Sequence, residues 1–350
     1  MQKLHTLLLL VLGMCAFWPY GLQAGNPDRQ GEAGAYELLM NPWARSAGLH
    51  SMPTSFVRGV ESMRVNVAGL ARVNKLEVVA GHGIYLQGTD LNMNALGIAS
   101  RVGKGGAIGI SLMALDFGDI PVTTTDQPEG TGSTFSPNFF NIGIGYAYTF
   151  ENKISVGVLL RGVSETIADL SAFGLAIDAG VQYVTGEEDN FKFGIALRNV
   201  GTRMVFRGEG LATQVQLEGR QYELTVDQRS AAFELPSLLN LGVSYDFRFG
   251  AYHRLTTLGN FTANSFMRDQ LGIGAEYALN ERFILRAAYK LNLGVENEFE
   301  EPVYSGLSAG ASLDVPINPK NQDLRLGIDY AFRTSKLWGG THNFGIRFNL

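Results

Sequence analysis

Residues 138–165 constrain the fold of this chain most strongly, because they hold two runs in which large apolar residues alternate with small ones. The large residues are Phe140, Ile142, Ile144, Tyr146, Tyr148 and Phe150 in the first run, and Ile154, Val156, Val158 and Leu160 in the second. This pattern is typical of a membrane β-barrel, whose bulky face meets lipid and whose other face lines a crowded polar lumen. A strand of a soluble sandwich would more often bury its large residues and expose Lys and Glu.

The composition agrees with a membrane barrel. Only 17% of the 350 residues are charged, 45% are hydrophobic, and 43 are glycine. The mean hydropathy is +0.03, because alternation dilutes the apolar positions of a barrel strand. The net charge of −5 argues against a nucleic-acid partner, which would require a basic surface.

Residues 1–24 are predicted to be a secretory signal peptide. Lys3 supplies the positive start, residues 7–18 form the apolar core, and Ala24 precedes a plausible cleavage site. A transmembrane anchor is the alternative, but the apolar run is too short to span a bilayer. The single cysteine, Cys15, lies in this segment, so the mature chain would have neither disulfides nor thiolate chemistry. The mature chain has no apolar run long enough for a membrane helix, so any spanning structure must be a barrel.

Residues 25–73 show no sustained alternation and are predicted to form a small plug in the barrel. Residues 32–39 could form a short helix that ends before Pro42, since proline disfavours helical geometry in the preceding residue. The following residues are small and typical of turns. A flexible periplasmic arm is the alternative interpretation.

Residues 74–350 are predicted to form the barrel, an all-β transmembrane antiparallel barrel of about 14 strands. An even number is typical of bacterial single-chain barrels. The predicted strands are residues 74–86, 90–102, 105–117, 139–150, 153–165, 171–184, 190–200, 237–249, 254–264, 269–279, 281–292, 304–314, 322–333 and 341–350. The alternation is blurred in residues 90–102 and 254–264.

Connection lengths support this strand count. The connections after even-numbered strands are short, whereas the long ones, residues 118–138, 201–236 and 292–303, all follow odd-numbered strands. Barrels of this kind have short periplasmic turns and longer outer loops, so the long connections are predicted to face outward. Aromatic residues at the strand ends predict two girdles at the membrane interfaces, with Phe117 in the outer one.

Charged residues on the predicted lumen face and in the plug are the candidate contacts between the two. They are Arg45, Arg161, Asp178, Arg198, Asp246, Arg248 and Arg286. They could form a selectivity or ligand surface, or an ion-paired interior that stabilises the barrel and holds the plug. Charge inside a barrel is normal and does not decide between these alternatives.

No motif predicts catalysis, a metal site or a cofactor. The five histidines are scattered without ligand spacing, and no nucleophile elbow or triad stands out. The glycine-rich residues 103–109 lack the Lys-Ser/Thr ending and the following helix of a phosphate-binding loop. We interpret them as a tight turn between strands.

Several segments resemble one known family. They are ARSAGL at 44–49, NVAGLA at 66–71, KGGAIGISLMALDFGDIPVTT at 104–124, ELPSLLNLGVSYDF at 234–247, AEYALNERFILRAAYKL at 275–291 and THNFGIRF at 341–348. In these segments the chain resembles the PorV/PorQ family, FadL-like outer-membrane barrels of the type IX secretion system. The resemblance implies a fourteen-strand barrel with an N-terminal plug, surrounded by outer-membrane lipid.

Three hypotheses for function follow. The resemblance implies a protein that binds the C-terminal domains of secreted cargo, or translocon and attachment-complex partners. Its outer loops would form the contact surface, and residues 201–236 mix apolar and basic side chains suited to protein contact. The FadL-like branch implies instead a transporter for hydrophobic small molecules. An outer-membrane hydrolase is the third hypothesis, and no sequence motif supports it.

Overall fold

The computed structural model describes residues 27–151, 153–216, 222–295, 303–304, 306–318, 321–335 and 338–350, so the predicted signal peptide lies outside the described residues. In chain order the strands are β1 (Leu76–Tyr85), β2 (Leu91–Val102), β3 (Gly106–Asp116), β4 (Ile120–Pro121), β5 (Thr134–Phe135), β6 (Asn138–Phe150), β7 (Ile154–Ile167), β8 (Leu170–Thr185), β9 (Phe191–Gly201), β10 (Ala212–Gln216), β11 (Glu223–Asp227), β12 (Leu238–Phe249), β13 (His253–Asn264), β14 (Gln270–Leu279), β15 (Phe283–Asn292), β16 (Gly306–Asn318), β17 (Asn321–Arg333) and β18 (Thr341–Asn349).

Fourteen of these strands form a closed antiparallel barrel, which confirms the predicted fold. Each barrel strand pairs with its neighbours along the chain, and β1 closes the barrel by pairing with β18. The pairs β4–β5 and β10–β11 are separate hairpins within the two long connections. The two segments with blurred alternation are barrel strands as well, as β2 and β13.

Side chains alternate between the two faces of the barrel as the sequence predicts. In β6, Ile144 is 51% exposed whereas Asn141 is 2% exposed. The wall therefore presents an apolar outer surface, and its small and polar residues point inward. Phe117 is an exception to the predicted aromatic girdle. It lies just beyond the end of β3, where alternation stops, and packs against the interior beside Phe139.

The two ends of the barrel differ in their connections. Short turns join β2 to β3, β6 to β7, β8 to β9, β12 to β13 and β14 to β15, and we call this the short-turn end. The connections from β3 to β6 and from β9 to β12 lie at the opposite, long-loop end. This is the predicted arrangement, and by the general rule for such barrels the short-turn end faces the periplasm.

Residues 33–73, here called the N-terminal segment, pack against the inward face of the barrel. The segment contains short helical pieces at Tyr36–Leu39, Ala44–Ala47, Ser62–Val65 and Val67–Arg72. The predicted helix over residues 32–39 is therefore shorter than expected and begins only at Tyr36. Within the described ranges, no helix is long and apolar enough to cross a membrane.

Apolar side chains of the N-terminal segment form one cluster with the wall. Trp43, Val60, Met63 and Leu70 pack with inward residues such as Leu159 of β7, and all are almost fully buried. Burying such side chains stabilises the folded state by roughly 1.5–3 kcal/mol each. Because this segment lacks the period of a strand or a long helix, its position depends on these contacts.

Inward-facing glycines let the segment approach the wall closely. A Cβ atom on Gly157 of β7 would lie 2.7 Å from the carbonyl oxygen of Val67, and one on Gly194 of β9 would lie 2.7 Å from the Cα atom of Ser55. Backbone therefore packs directly on backbone at both positions, which leaves no room for a side chain.

Candidate functional site

One candidate site is a cavity of about 550 Å³ between the N-terminal segment and the barrel wall. We call it the charged cavity. Its wall residues come from strand ends at the short-turn end, for example Val184 near the end of β8 and Arg254 near the start of β13. Nine basic residues line it, namely Arg45, Arg58, Arg72, Lys192, Arg248, Arg254, Arg286, Arg325 and Arg347. Six acidic residues line it, namely Glu61, Glu77, Asp246, Glu276, Glu281 and Asp314.

Buried ion pairs connect neighbouring strands around the charged cavity. Glu276 of β14 lies 2.7 Å from the Nε atom of Arg286 and 3.1 Å from an Nη atom of Arg254. Arg254 also bonds Glu281 in the β14–β15 turn at 2.7 Å, and this hydrogen bond lowers the pKa of the Glu281 carboxyl. One carboxylate thus joins three adjacent strands.

Three further ionic contacts join strands of the cavity wall. The Asp314 carboxylate of β16 lies 2.5 Å from the Nε atom of Arg325 of β17 and 3.0 Å from an Nη atom of Arg347 of β18. Lys192 of β9 lies 2.5 Å from Asp246 of β12. These charge-assisted hydrogen bonds occupy the acidic groups of the wall.

Arg45 connects the N-terminal segment to this network. Its guanidinium lies 3.8 Å from Glu61 in the same segment and 4.0 Å from Glu77 of β1. The Glu61 carboxylate also accepts a hydrogen bond from the Ser46 backbone at 2.9 Å, and Glu77 accepts one from the Val60 backbone at 2.6 Å. Burial raises the pKa of Glu61, although Arg45 opposes this effect.

Two arginines of the charged cavity have no such partner. Arg58 is exposed to the cavity, and within the described ranges no carboxylate lies within 4.0 Å of it. Desolvation by the dense surroundings lowers the pKa of Arg58, and repulsion by Arg45 and Arg347 lowers it further. Arg72 has its Nε and one Nη atom buried without a hydrogen-bond partner among the described residues.

A separate buried cluster lies around Asp178 of β8. Its two carboxylate oxygens accept hydrogen bonds from Arg161 of β7 at 2.8 Å and from the Asn199 backbone of β9 at 2.6 Å. Arg161 also donates to the Met63 carbonyl of the N-terminal segment at 2.9 Å. This cluster therefore ties the segment to three strands.

A β-bulge explains why consecutive residues of β9 both point inward at this cluster. The register between β8 and β9 shifts between Ile177 and Ala179, and Asn199 has a φ of 59°. Arg198 consequently donates to the Leu38 carbonyl at 3.2 Å, and Asn199 donates to the Pro236 carbonyl at 3.0 Å. The bulge re-aims one side chain from lipid to the interior.

A second cavity of about 500 Å³ lies at the long-loop end, and we call it the long-loop cavity. Its lining combines the apolar residues Leu39, Met40, Leu238, Phe266 and Met267 with His50 and three basic residues, Arg198, Lys290 and Arg333. The His50 ring lies 2.9 Å from the Gly306 carbonyl oxygen. Burial lowers the pKa of His50 to about 3, and the nearby charges of Lys290 and Arg333 act in the same direction.

The seven predicted contact residues divide between two places. Arg45, Asp246, Arg248 and Arg286 line the charged cavity. Arg161, Asp178 and Arg198 belong to the separate cluster between β7, β8 and β9. Arg45 lies 4.0 Å from Glu77 of β1, and Arg161 and Arg198 donate to backbone carbonyls of the N-terminal segment. Arg248 lies at the rim, 3.7 Å from Glu188, and both side chains are exposed.

Sequence reasoning missed several residues of the charged cavity. Arg58, Glu61 and Arg72 lie in the N-terminal segment, where no periodic pattern marks which side chains point to the wall. Glu77 lies at the start of β1 and could have been found from the alternation of that strand. Among the described residues, no group of His, Cys, Asp or Glu has an arrangement suited to a metal ion.

Residues 92–348 match the sequence family described as type IX secretion system membrane protein PorP/SprF. The chain belongs to this family. The predicted membership of a type IX secretion membrane family is thus confirmed at this level, whereas the PorV/PorQ assignment stays a prediction. No curated protein sequence matches the chain.

Solved structures similar to this PorP/SprF family member are FadL-like barrels. The CymD monoaromatic hydrocarbon channel is 14% identical, with a TM-score of 0.52, and the match covers 89% of this chain and 96% of CymD. The Ralstonia pickettii toluene transporter TbuX is 13% identical, with a TM-score of 0.53 and coverages of 88% and 97%. A Pseudomonas aeruginosa FadL homologue is 12% identical, with a TM-score of 0.53 and coverages of 87% and 98%. Family and fold together identify an outer-membrane β-barrel protein.

Proposed function

We propose that this PorP/SprF family member binds secreted cargo or translocon partners at the long-loop end of its barrel. The observation that carries this proposal is the β10–β11 hairpin, which extends from the long β9–β12 connection. Val215 pairs with Leu224 and Thr213 pairs with Val226, so these four side chains share one face. Val215, Leu224 and Val226 are each about 40% exposed.

The hairpin is suited to contact with another protein. Its opposite face carries Gln214 paired with Thr225 and Gln216 paired with Glu223, so only one face is apolar. The pair forms its own two-stranded sheet, so its outer edges have backbone groups that an extended segment of a partner could use. An apolar face beside open strand edges favours a protein partner over a small solute.

The connection that carries the hairpin is anchored on the N-terminal segment. The Gly34 amide donates to the Glu234 carbonyl at 2.9 Å, and the Glu234 amide donates at 3.1 Å to the carbonyl of Glu32, just before the segment. Met204 and Leu235 of the connection pack with Leu38 of the segment. A partner that pulls on the hairpin would therefore act on the segment inside the barrel.

The N-terminal segment acts in this proposal as a plug that keeps the lumen closed. Its close contacts with Gly157 and Gly194 and its bonds to Arg161 and Arg198 support that role. Loss of the bonds at Glu234 would be the first step by which partner binding loosens the plug.

The test is a pair of matched double variants expressed in the native bacterium in place of the wild-type gene. Val215→Asp with Leu224→Asp alters the apolar face of the hairpin, and Gln214→Asp with Thr225→Asp alters the opposite face of the same strands. Surface-exposed and periplasmic fractions are compared by proteomics. The apolar-face variant should retain secreted proteins in the periplasm at normal barrel levels, and the control should not.

Two results would contradict the proposal. One is equal secretion by both double variants and the wild type. The other is normal surface display of secreted proteins in a strain that lacks the gene.

A second candidate function is a channel for hydrophobic small molecules, and the long-loop cavity favours it. Its apolar residues Leu39, Phe266 and Met267 could hold an apolar ligand, and similar solved structures include a monoaromatic hydrocarbon channel and a toluene transporter. The test is uptake of radiolabelled toluene by liposomes containing the purified protein. Met267→Arg should abolish the uptake that the wild type adds to that of protein-free liposomes. If liposomes with the wild type take up no more toluene than protein-free liposomes, this function is excluded.

A further inference from the structure

The charged cavity carries an excess of positive charge that its own carboxylates do not balance. Nine basic side chains line it against six acidic ones, and each acidic group already bonds a cation or a backbone amide. Arg325 and Arg347 share Asp314, and Arg254 and Arg286 share Glu276. Two carboxylates outside the lining also take part, since Asp329 lies 3.5 Å from Arg347 and Glu188 lies 3.7 Å from Arg248. The remaining excess is concentrated at Arg58 and Arg72.

Arg58 is placed as an anion ligand would require. It belongs to the turn of the N-terminal segment next to Gly59, and its side chain is exposed to the cavity instead of packing into the segment. Arg45 and Arg347 repel it, and the attraction of Glu276 and Glu281 acts only over a distance. Because a guanidinium stays protonated in proteins, Arg58 remains an unpaired cation in a group of cations.

An unpaired cation at such a place weakens the folded protein by itself. Like charges in one site disfavour each other, and Glu281 and Glu276 attract Arg58 only from a distance greater than that of an ion pair. A bound anion would offset it. Arg72 adds two buried N–H groups on the same cavity wall that have no hydrogen-bond partner among the described residues.

We propose that the charged cavity binds a small, water-soluble oxyanion that carries carboxylate or phosphate groups, with Arg58 as its main contact. A guanidinium fork bonds two oxygens of a carboxylate or phosphate at once, which a lysine cannot do. This site is separate from the hairpin and goes beyond the proposed secretion function.

Cavity size and lining limit the ligand to a small polar anion. A volume of about 550 Å³ lies within the range of small-molecule sites. The lining is dominated by charged side chains, so it would disfavour an acyl chain. The cavity lies at the short-turn end, so the ligand would enter from the periplasmic side by the general rule for these barrels.

The experiment measures thermal unfolding and binding of the purified full-length protein in detergent. Citrate serves as the carboxylate probe and pyrophosphate as the phosphate probe, each against sodium chloride at matched ionic strength. At least one probe should raise the melting temperature of the wild type above the chloride control. Isothermal titration calorimetry then gives its dissociation constant, and the effective probe identifies the ligand class.

Three variants assign the effect to this site. Arg58→Gln should weaken binding of the effective probe at least tenfold, while its melting temperature without probe equals or exceeds that of the wild type. Arg58→Lys should bind with intermediate affinity, since it keeps the charge and loses the fork. Arg203→Gln, at the long-loop end, should bind like the wild type.

Two results would overturn the proposal. In one, neither probe stabilises the wild type beyond chloride. In the other, Arg58→Gln binds the effective probe as tightly as the wild type. If Arg58→Gln does not fold, Arg72→Gln takes its place, with the same required loss of affinity.

Discussion

The two sides of the N-terminal segment meet the barrel in opposite ways. On one side its backbone lies directly on glycines of β7 and β9, at Gly157 and Gly194, without intervening side chains. On the other side it faces the charged cavity, where Arg45 reaches Glu77 only at 4.0 Å and Arg58 reaches no carboxylate within the described residues. The glycine side fixes the position of the segment, whereas the cavity side leaves room for another molecule.

The glycine side should therefore matter mainly for stability, and the cavity side mainly for binding. Close packing of backbone on backbone resists any change of volume, because protein interiors are as dense as organic crystals. The cavity side depends on ion pairs in the barrel wall, whose strength depends on geometry and on burial. Variants on the two sides should therefore differ in both size and kind of effect.

The largest expected effect belongs to the ion pairs of the cavity wall. Glu276→Gln should lower the free energy of unfolding by about 3–5 kcal/mol, because it leaves the buried Arg286 without its carboxylate partner. Guanidine titration of the detergent-solubilised protein measures this change. Glu281→Gln is the control, since Glu281 bonds the same Arg254 but is half exposed, and its cost should stay below about 1 kcal/mol. Equal costs for both variants would contradict the prediction.

The next effect tests the glycine side. Gly157→Ala should lower the free energy of unfolding by about 1–3 kcal/mol, because its methyl group would overlap the Val67 backbone. It should also make the N-terminal segment accessible to protease in the folded barrel. Gly259→Ala is the control, since its Cβ would meet only Val243 at 3.7 Å. Protease resistance of Gly157→Ala equal to that of the control would show that the contact does not hold the segment.

The barrel strands were predictable because their physical cause is local. A strand between lipid and lumen must alternate large and small residues, so the predicted strand at 139–150 differs by one residue from β6, Asn138–Phe150. Even the blurred segment 254–264 corresponds to β13, His253–Asn264. The hairpin β10–β11 was not predicted, because it lies in a connection that neither lipid nor lumen constrains.

The charged cavity was only partly predictable, because its cause is long-range. The alternation of the wall strands marks Asp246 and Arg286 as inward-facing from sequence alone. Arg58 and Glu61 come from a segment without periodicity, and their positions depend on contacts with strands far along the chain, such as that of Ser55 with Gly194. Asn199 points inward because of a bulge that breaks the alternation on which the prediction relied.

The pH dependence of stability tests the buried His50 at the long-loop end. Burial holds the pKa of His50 at about 3 in the folded protein, so between about pH 6.5 and pH 3 the unfolded chain binds a proton that the folded protein excludes. The free energy of unfolding should therefore fall as the pH is lowered through this window. At pH 5, His50 alone should lower it by about 2 kcal/mol relative to neutral pH. His50→Gln should remove this part of the pH dependence. An identical pH profile for variant and wild type would contradict the low pKa.

The smallest effect is expected at the exposed ion pair of the long-loop end. Arg203 lies 2.8 Å from Glu234, at a distance like that between Arg286 and Glu276, but its side chain is 70% exposed. Water screens such a pair, so Arg203→Gln should leave the melting temperature within error of the wild type. Glu234 also keeps its contact, at 3.0 Å, with Arg29, which precedes the N-terminal segment. A large loss of stability in Arg203→Gln would mean that burial does not explain the difference between the buried Glu276–Arg286 pair and the exposed Arg203–Glu234 pair.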